Sequence, residues 1–151
     1  MWSIEETIVI DAPAEIVWEL WTDVEHWNVW DHGIAWSRIE GAFEKGAHGV
    51  LKPKSGPKSK FTLVEVQKGK RFKDISRLPL CTIEFDHQLT PEQGRVRVTH
   101  SISLVGPLSF LFTRILGKQF SHDLAAAVKT LASLAEQRHS QHAAIQEPVL
   151  T

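Results

Sequence analysis

The chain has 151 residues, 42% of them hydrophobic, and a formal net charge of -1, which fits one domain with its own core and gives no reason to expect nucleic-acid or anionic-membrane binding. A single cysteine, Cys81, excludes an intramolecular disulfide, and no stretch reaches the ~20 apolar residues of a membrane span. The start Met1-Trp2-Ser3-Ile4-Glu5-Glu6 carries acids where a leader would carry bases and then an apolar run, so a cytoplasmic protein is expected.

Residues 2–10 alternate and predict a first strand. Asp11-Ala12-Pro13-Ala14-Glu15 then reads as a helix start, with Asp11 as N-cap and Pro13 in the first turn. Ile16, Val17, Leu20 and Trp21 recur at helical spacing to about Asp23, and a second short helix is expected over 24–30 before Gly33. From Ile34 to Leu104 the pattern changes to six short alternating runs, 34–40, 48–52, 60–66, 72–78, 81–90 and 95–104, cut by Gly and Pro turns. That spacing describes an antiparallel meander. After Pro107 the period is helical again, with Leu108, Leu111, Phe112, Ile115, Phe120, Leu124, Val128 and Leu131 on one stripe over about 108–137. Gly117 inside it marks a bend or a close backbone approach. A stripe of that length needs a cover, and a curved sheet wrapped along it is the cover available. Residues 1–138 are therefore expected to form the domain, and the polar residues 139–151 a flexible tail.

The order strand, two short helices, six strands, long helix resembles the START-like (helix-grip) superfamily, and within it the polyketide cyclase/dehydrase-like group. The cues are Asp11-Ala12-Pro13-Ala14-Glu15-Ile16-Val17-Trp18, Asp23 to Trp30-Asp31, Leu78-Pro79-Leu80 ahead of Phe85-Asp86-His87-Gln88-Leu89-Thr90-Pro91, and Gly94 to His100 ahead of Gly106-Pro107-Leu108. They span about residues 2–137. The resemblance implies an α+β helix-grip fold, a curved seven-stranded antiparallel sheet around the long helix, with a hydrophobic cavity between them. Its members include carriers, sensors and cyclases, so fold alone does not settle activity.

Strand parity picks out the candidate site. In 81–89 the odd residues Cys81, Ile83, Phe85, His87 and Leu89 share a face; in 95–104 the even residues Val96, Val98, His100, Ile102 and Leu104 do. The apolar sets must face the helix and take His87 and His100 with them. A four-residue loop between Thr90 and Arg95 would pair Phe85 with His100 and make the two histidines diagonal neighbours, with Cα atoms roughly 7–8 Å apart. In 72–78 the less charged face holds Phe72, Asp74, Ser76 and Leu78, which places Asp74 inside and near His87. A carboxylate beside an imidazole suits acid–base work on an enolizable carbonyl. Equally, each histidine could be a core residue satisfied by a hydroxyl or water.

Five of the six Trp fall between Trp18 and Trp36. Trp27, Trp30 and Trp36 are candidates for a cavity mouth, and Phe112 and Phe120 for the wall across from it; each could instead be plain core. Lys52 to Lys60 is a basic, Pro/Gly-punctuated loop: a solvated hairpin loop, a flexible lid or a contact for an anionic ligand. No zinc spacing, nucleophile elbow or phosphate loop occurs, so no metal and no cofactor are expected. The reading is a module that binds a hydrophobic or aromatic small molecule, lipid, polyketide-like or isoprenoid, through His87, His100, Asp74, Phe85, Trp27, Trp30, Trp36, Phe112 and Phe120. The alternative is a cofactor-independent cyclase or dehydratase using His87 and Asp74 as acid and base. Partners beyond the ligand are not expected: no nucleic acid, no stable membrane insertion, and a monomer or homodimer.

Overall fold

The structure is a computed structural model and describes residues 1–146. Strand β1 (Trp2–Ile10) leads into helix α1 (Ala14–Thr22) and a short 3-10 segment (Val24–Val29). Then come β2 (Ile34–Glu40), β3 (His48–Pro53), β4 (Ser59–Gln67), β5 (Arg71–Leu78), β6 (Cys81–Glu92), β7 (Arg95–Val105) and the long helix α2 (Ser109–Gln146). The seven strands form one antiparallel sheet in the order β1-β7-β6-β5-β4-β3-β2. It is the expected α+β helix-grip architecture, open at β1 and β2. Helix α2 lies along β1 and β7, while α1 and the 3-10 segment close the other side of the concave face.

Several local readings change. The N-cap of α1 is Pro13, without a side-chain cap; the backbone N–H of Asp11 instead donates to Glu136 Oε1 of α2 at 3.1 Å. The second helix is a 3-10 segment kinked at His26. Residues 139–146 continue α2 rather than forming a tail, because a helix needs no apolar face where it runs out into water; residues 147–151 lie outside the described residues. Gly117 faces the Trp2 indole, whose ring would lie 3.6 Å from an added Cβ, an ordinary contact distance, so the expected close approach does not require glycine there.

The β6–β7 turn matters most. Glu92 pairs with Arg95, leaving the two-residue loop Gln93-Gly94 with φ of 47° and 82°. Two left-handed residues are the backbone of a tight hairpin turn whose twist matches the strands. The strands therefore extend two residues beyond the expected loop, and His87 sits directly opposite His100. The diagonal placement and the Phe85–His100 pairing are both corrected; Phe85 faces Ile102.

Candidate functional site

The inward row of the sheet that crosses its middle reads Glu6 (β1), His100 (β7), His87 (β6), Phe72 (β5) in register. Both histidines are buried, His100 the deeper at 2% exposure. Their ring centroids are 4.7 Å apart, edge to face. Phe72 lies flat on His87, centroids 3.9 Å apart and planes within 6°. Trp21, carried by α1 and fully buried, caps both imidazoles at 5.5 and 5.6 Å, and Trp30 approaches His100 at 5.6 Å. Helix α1 thus drops one indole onto the two histidines that strand parity turns inward.

This setting decides protonation. Removing an imidazolium from water is costly, so burial holds His87 down at about 3, against a weaker opposing pull from the Phe72 carbonyl. His100 is held well below its ordinary value by burial and then by His87. Both rings are neutral at neutral pH. The Nδ1–H of His87 donates to the Phe72 carbonyl at 3.4 Å, leaving its Nε2 as the acceptor. Asp74 is buried on the same face, one row along, opposite Phe85. Burial, helped by the charge of Asp86, pushes its carboxyl up to about 8, so it is a protonated acid at neutrality. Asp74 does face inward, but no hydrogen bond joins it to His87, whose cross-strand partner is Phe72. The expected carboxylate–imidazole pair is not formed.

Three polar atoms around this point have no protein partner: Nε1 of Trp21, Nε1 of Trp30 and Nε2 of His100. Leaving a buried donor or acceptor unpaired costs about 1–3 kcal/mol per group. The Trp21 and Trp30 rings each lie against the His100 ring. Trp27 is different. Its Nε1–H is spent on the Trp21 carbonyl at 2.8 Å, and its ring packs between Phe61 and Phe72. It supports the cluster as core.

A second, apolar group lies toward the start of α2. Phe85, Phe112 and Phe120 pack with Ile4, Trp2 and Leu78 around Ile83, Ile102 and Leu124, and Phe85 meets Phe120 edge-on at 6.1 Å. These side chains face the helix–sheet interior yet stay only half-buried, so solvent reaches the concave face here. Trp36 belongs to neither group. An irregularity between Ile34 and Trp36 shifts the parity of β2: Ser37 turns in to donate to the Val24 carbonyl at 2.6 Å, and Trp36 sits outside under Arg38, 38% exposed. It is no part of the mouth.

Trp21 and Phe72 complete the site and were not among the expected site residues, and Glu6 is the register partner of His100 on β1. Phe72 and Glu6 share the inward parity of their strands, so correct pairing alone would have brought them in; for Trp21 only the landing of α1 reveals it. Cys81 is buried packing, its thiol pushed up by burial. Among the described residues, no three His, Cys, Asp or Glu come together as a metal site, and no helix is long and apolar enough to cross a membrane.

A family profile described as "Polyketide cyclase / dehydrase and lipid transport" matches residues 1–136. The chain belongs to this family. Solved structures repeat this fold at low identity. Protein MLL2253 from Mesorhizobium loti aligns with a TM-score of 0.72 at 15% identity, over 90% of this chain and 98% of its own. Protein NE0264 from Nitrosomonas europaea gives 0.69 at 17%, over 90% and 95%. A norcoclaurine synthase point mutant from Thalictrum flavum, solved with a transition-state analogue, gives 0.69 at 15%, over 91% and 95%. At such identities the likeness carries the fold. No curated protein matches the chain in sequence.

Proposed function

We propose that this family member binds a hydrophobic or aromatic small molecule of lipid, polyketide-like or isoprenoid type between sheet and α2, and holds an oxygen of it at the histidine pair. The carrying observation is the group of unpaired polar atoms: two indole N–H donors and the Nε2 of His100 on adjoining buried rings. A carbonyl or hydroxyl oxygen would take those donors, while Phe85, Phe112 and Phe120 face the apolar remainder. Apolar burial at ~25 cal/mol per Å² supplies most of the affinity, less the cost of ordering. His87, stacked on Phe72, sets the wall, and the neutral acid of Asp74 is a further donor for a second ligand oxygen.

Catalysis by His87 and Asp74 fares less well. A general base works best with a pKa near the working pH, and burial holds His87 at about 3. A buried acid near 8 is the one feature that favours a cyclase or dehydratase.

The test compares α-naphthol with naphthalene by intrinsic tryptophan fluorescence. One or two N–H bonds to the oxygen should make the naphthol bind about five- to thirtyfold tighter, and Trp30→Phe should remove part of that preference while leaving naphthalene unchanged. Equal affinities for the two compounds, or a preference untouched by Trp30→Phe, would overturn the assignment.

A further inference from the structure

One end of the molecule is both apolar and basic. The β5–β6 turn, Pro79-Leu80, and the β7–α2 junction meet there: the Leu108 N–H donates to the Leu80 carbonyl at 3.1 Å, and a Cβ on Gly106 would lie 2.6 Å from the same oxygen. Leu80 is 66% exposed, Phe110 67% and Ile115 63%, and Leu111 and Val105 are exposed beside them. In an antiparallel meander alternate hairpins share an end, so the β3–β4 loop carrying Lys54 and Lys58 lies at this end too.

Charge along the start of α2 is of one sign, while Asp31 and Asp123 lie farther over, toward Lys54. Arg114 and Lys118 stand on the exposed face of α2 with Phe110, Leu111 and Ile115, Arg77 precedes the turn, and residues 105–122 contain no Asp or Glu. The ion pairs among the described residues involve Asp23, Glu84, Asp86 and Glu92 with other bases, and none uses Lys58, Arg77, Arg114 or Lys118; Lys54 lies within reach of the Asp31 charge. The positive end of the α2 dipole points the same way. A chain of net charge -1 thus gathers unpaired cations around its exposed apolar residues.

Leu80 adds an independent sign. Its φ is 52°, the left-handed region that suits glycine. A branched apolar side chain is therefore held strained and in water, where glycine would relieve both faults. Such strain persists when the side chain has a use.

We propose that this end docks on an anionic bilayer surface, Leu80, Phe110, Leu111 and Ile115 entering the interface and the lysines and arginines meeting lipid phosphates and carboxylates. A second copy is a poorer occupant, since a two-fold contact would set these cations against themselves. Nucleic acid would leave the apolar residues unsatisfied. The proposal goes beyond the ligand reading and does not depend on it, because adsorption to vesicles can be measured whether or not anything occupies the interior.

Co-sedimentation with phosphatidylcholine vesicles, with and without phosphatidylserine, tests it. The protein should bind the anionic vesicles and lose affinity at high salt. Each cation removed should weaken partitioning about fivefold, so Arg114→Gln with Lys118→Gln should lose about 25-fold. Leu80→Gly should raise the melting temperature yet weaken vesicle binding severalfold, a combination that misfolding would not produce. The proposal is overturned if the folded wild type fails to bind the anionic vesicles, if neutral vesicles bind it equally well, or if the double glutamine variant binds undiminished. A concentration-dependent dimer abolished by Phe110→Asp, without vesicle binding, would overturn it in favour of self-association.

Discussion

Asp74 and the histidine pair respond to pH in opposite senses, and Asp74→Asn separates them at almost constant volume. Burial lifts the Asp74 carboxyl from 3.8 to about 8, so the folded chain holds a proton that the unfolded chain releases. Its contribution to stability is full in acid and is lost as pH rises through the folded value. The imidazoles are the reverse. Their folded values lie below the 6.5 of the unfolded chain, so their contribution is present above that value and lost as pH falls. Going from about pH 7 to about pH 9, Asp74 should remove about 1 kcal/mol. Going from about pH 7 to about pH 5, His87 should remove about 2 kcal/mol and His100 should act in the same direction, while Asp74 returns about 3 kcal/mol. Asp31, raised to about 6 mainly by burial, has the same sign as Asp74. The wild type should therefore be nearly flat on the acid side and soften on the alkaline side. Asp74→Asn should abolish the alkaline loss and uncover an acid loss of about 2–3 kcal/mol. Urea unfolding followed by tryptophan fluorescence at the three pH values measures this. Superimposable pH profiles for wild type and variant would refute the placement of Asp74 as a buried neutral acid.

Further predictions concern the core and the site. Gly49→Ala would set a Cβ 2.2 Å from the Phe61 ring and 2.5 Å from the Arg38 carbonyl, so it should cost about 1–3 kcal/mol in thermal unfolding. Trp27→Phe strands the Trp21 carbonyl and opens a gap beside Phe72, and should lower stability by about 2 kcal/mol or more without changing the preference for naphthol over naphthalene. Trp36→Ala, on the outer face, should leave naphthol affinity unchanged in the same titration. His87→Ala should keep naphthol binding within about tenfold; if the residue were a general acid or base, turnover of an enolizable polyketide would fall by ~10²–10⁴ with binding kept.

The sequence carried the inward facing of His87, His100 and Asp74, because side-chain alternation along a strand is local and the apolar neighbours decide which face is buried. The pairing across strands did not come with it. The hairpin turn uses Gln93 in the left-handed region, and glutamine is not a residue that announces such a turn. The placement of Trp36 failed for a similar reason, since the irregularity before it has no Gly or Pro to mark it. The role of Trp21 was illegible as chemistry: helical spacing places it on the buried side of α1, and only tertiary packing sets that side over the imidazoles. The extension of α2 to Gln146 shows polarity being read as disorder where the helix simply leaves the sheet.

The proposed ligand contact rests on the two indole donors beside His100. The most direct measurement is a proton–nitrogen correlation spectrum of the indole side chains during titration with α-naphthol, using Trp→Phe variants for assignment. The Trp21 and Trp30 Nε1–H signals should move downfield on saturation while that of Trp27, already bonded to a carbonyl, holds still. Saturable binding that leaves the Trp21 and Trp30 signals in place would contradict it.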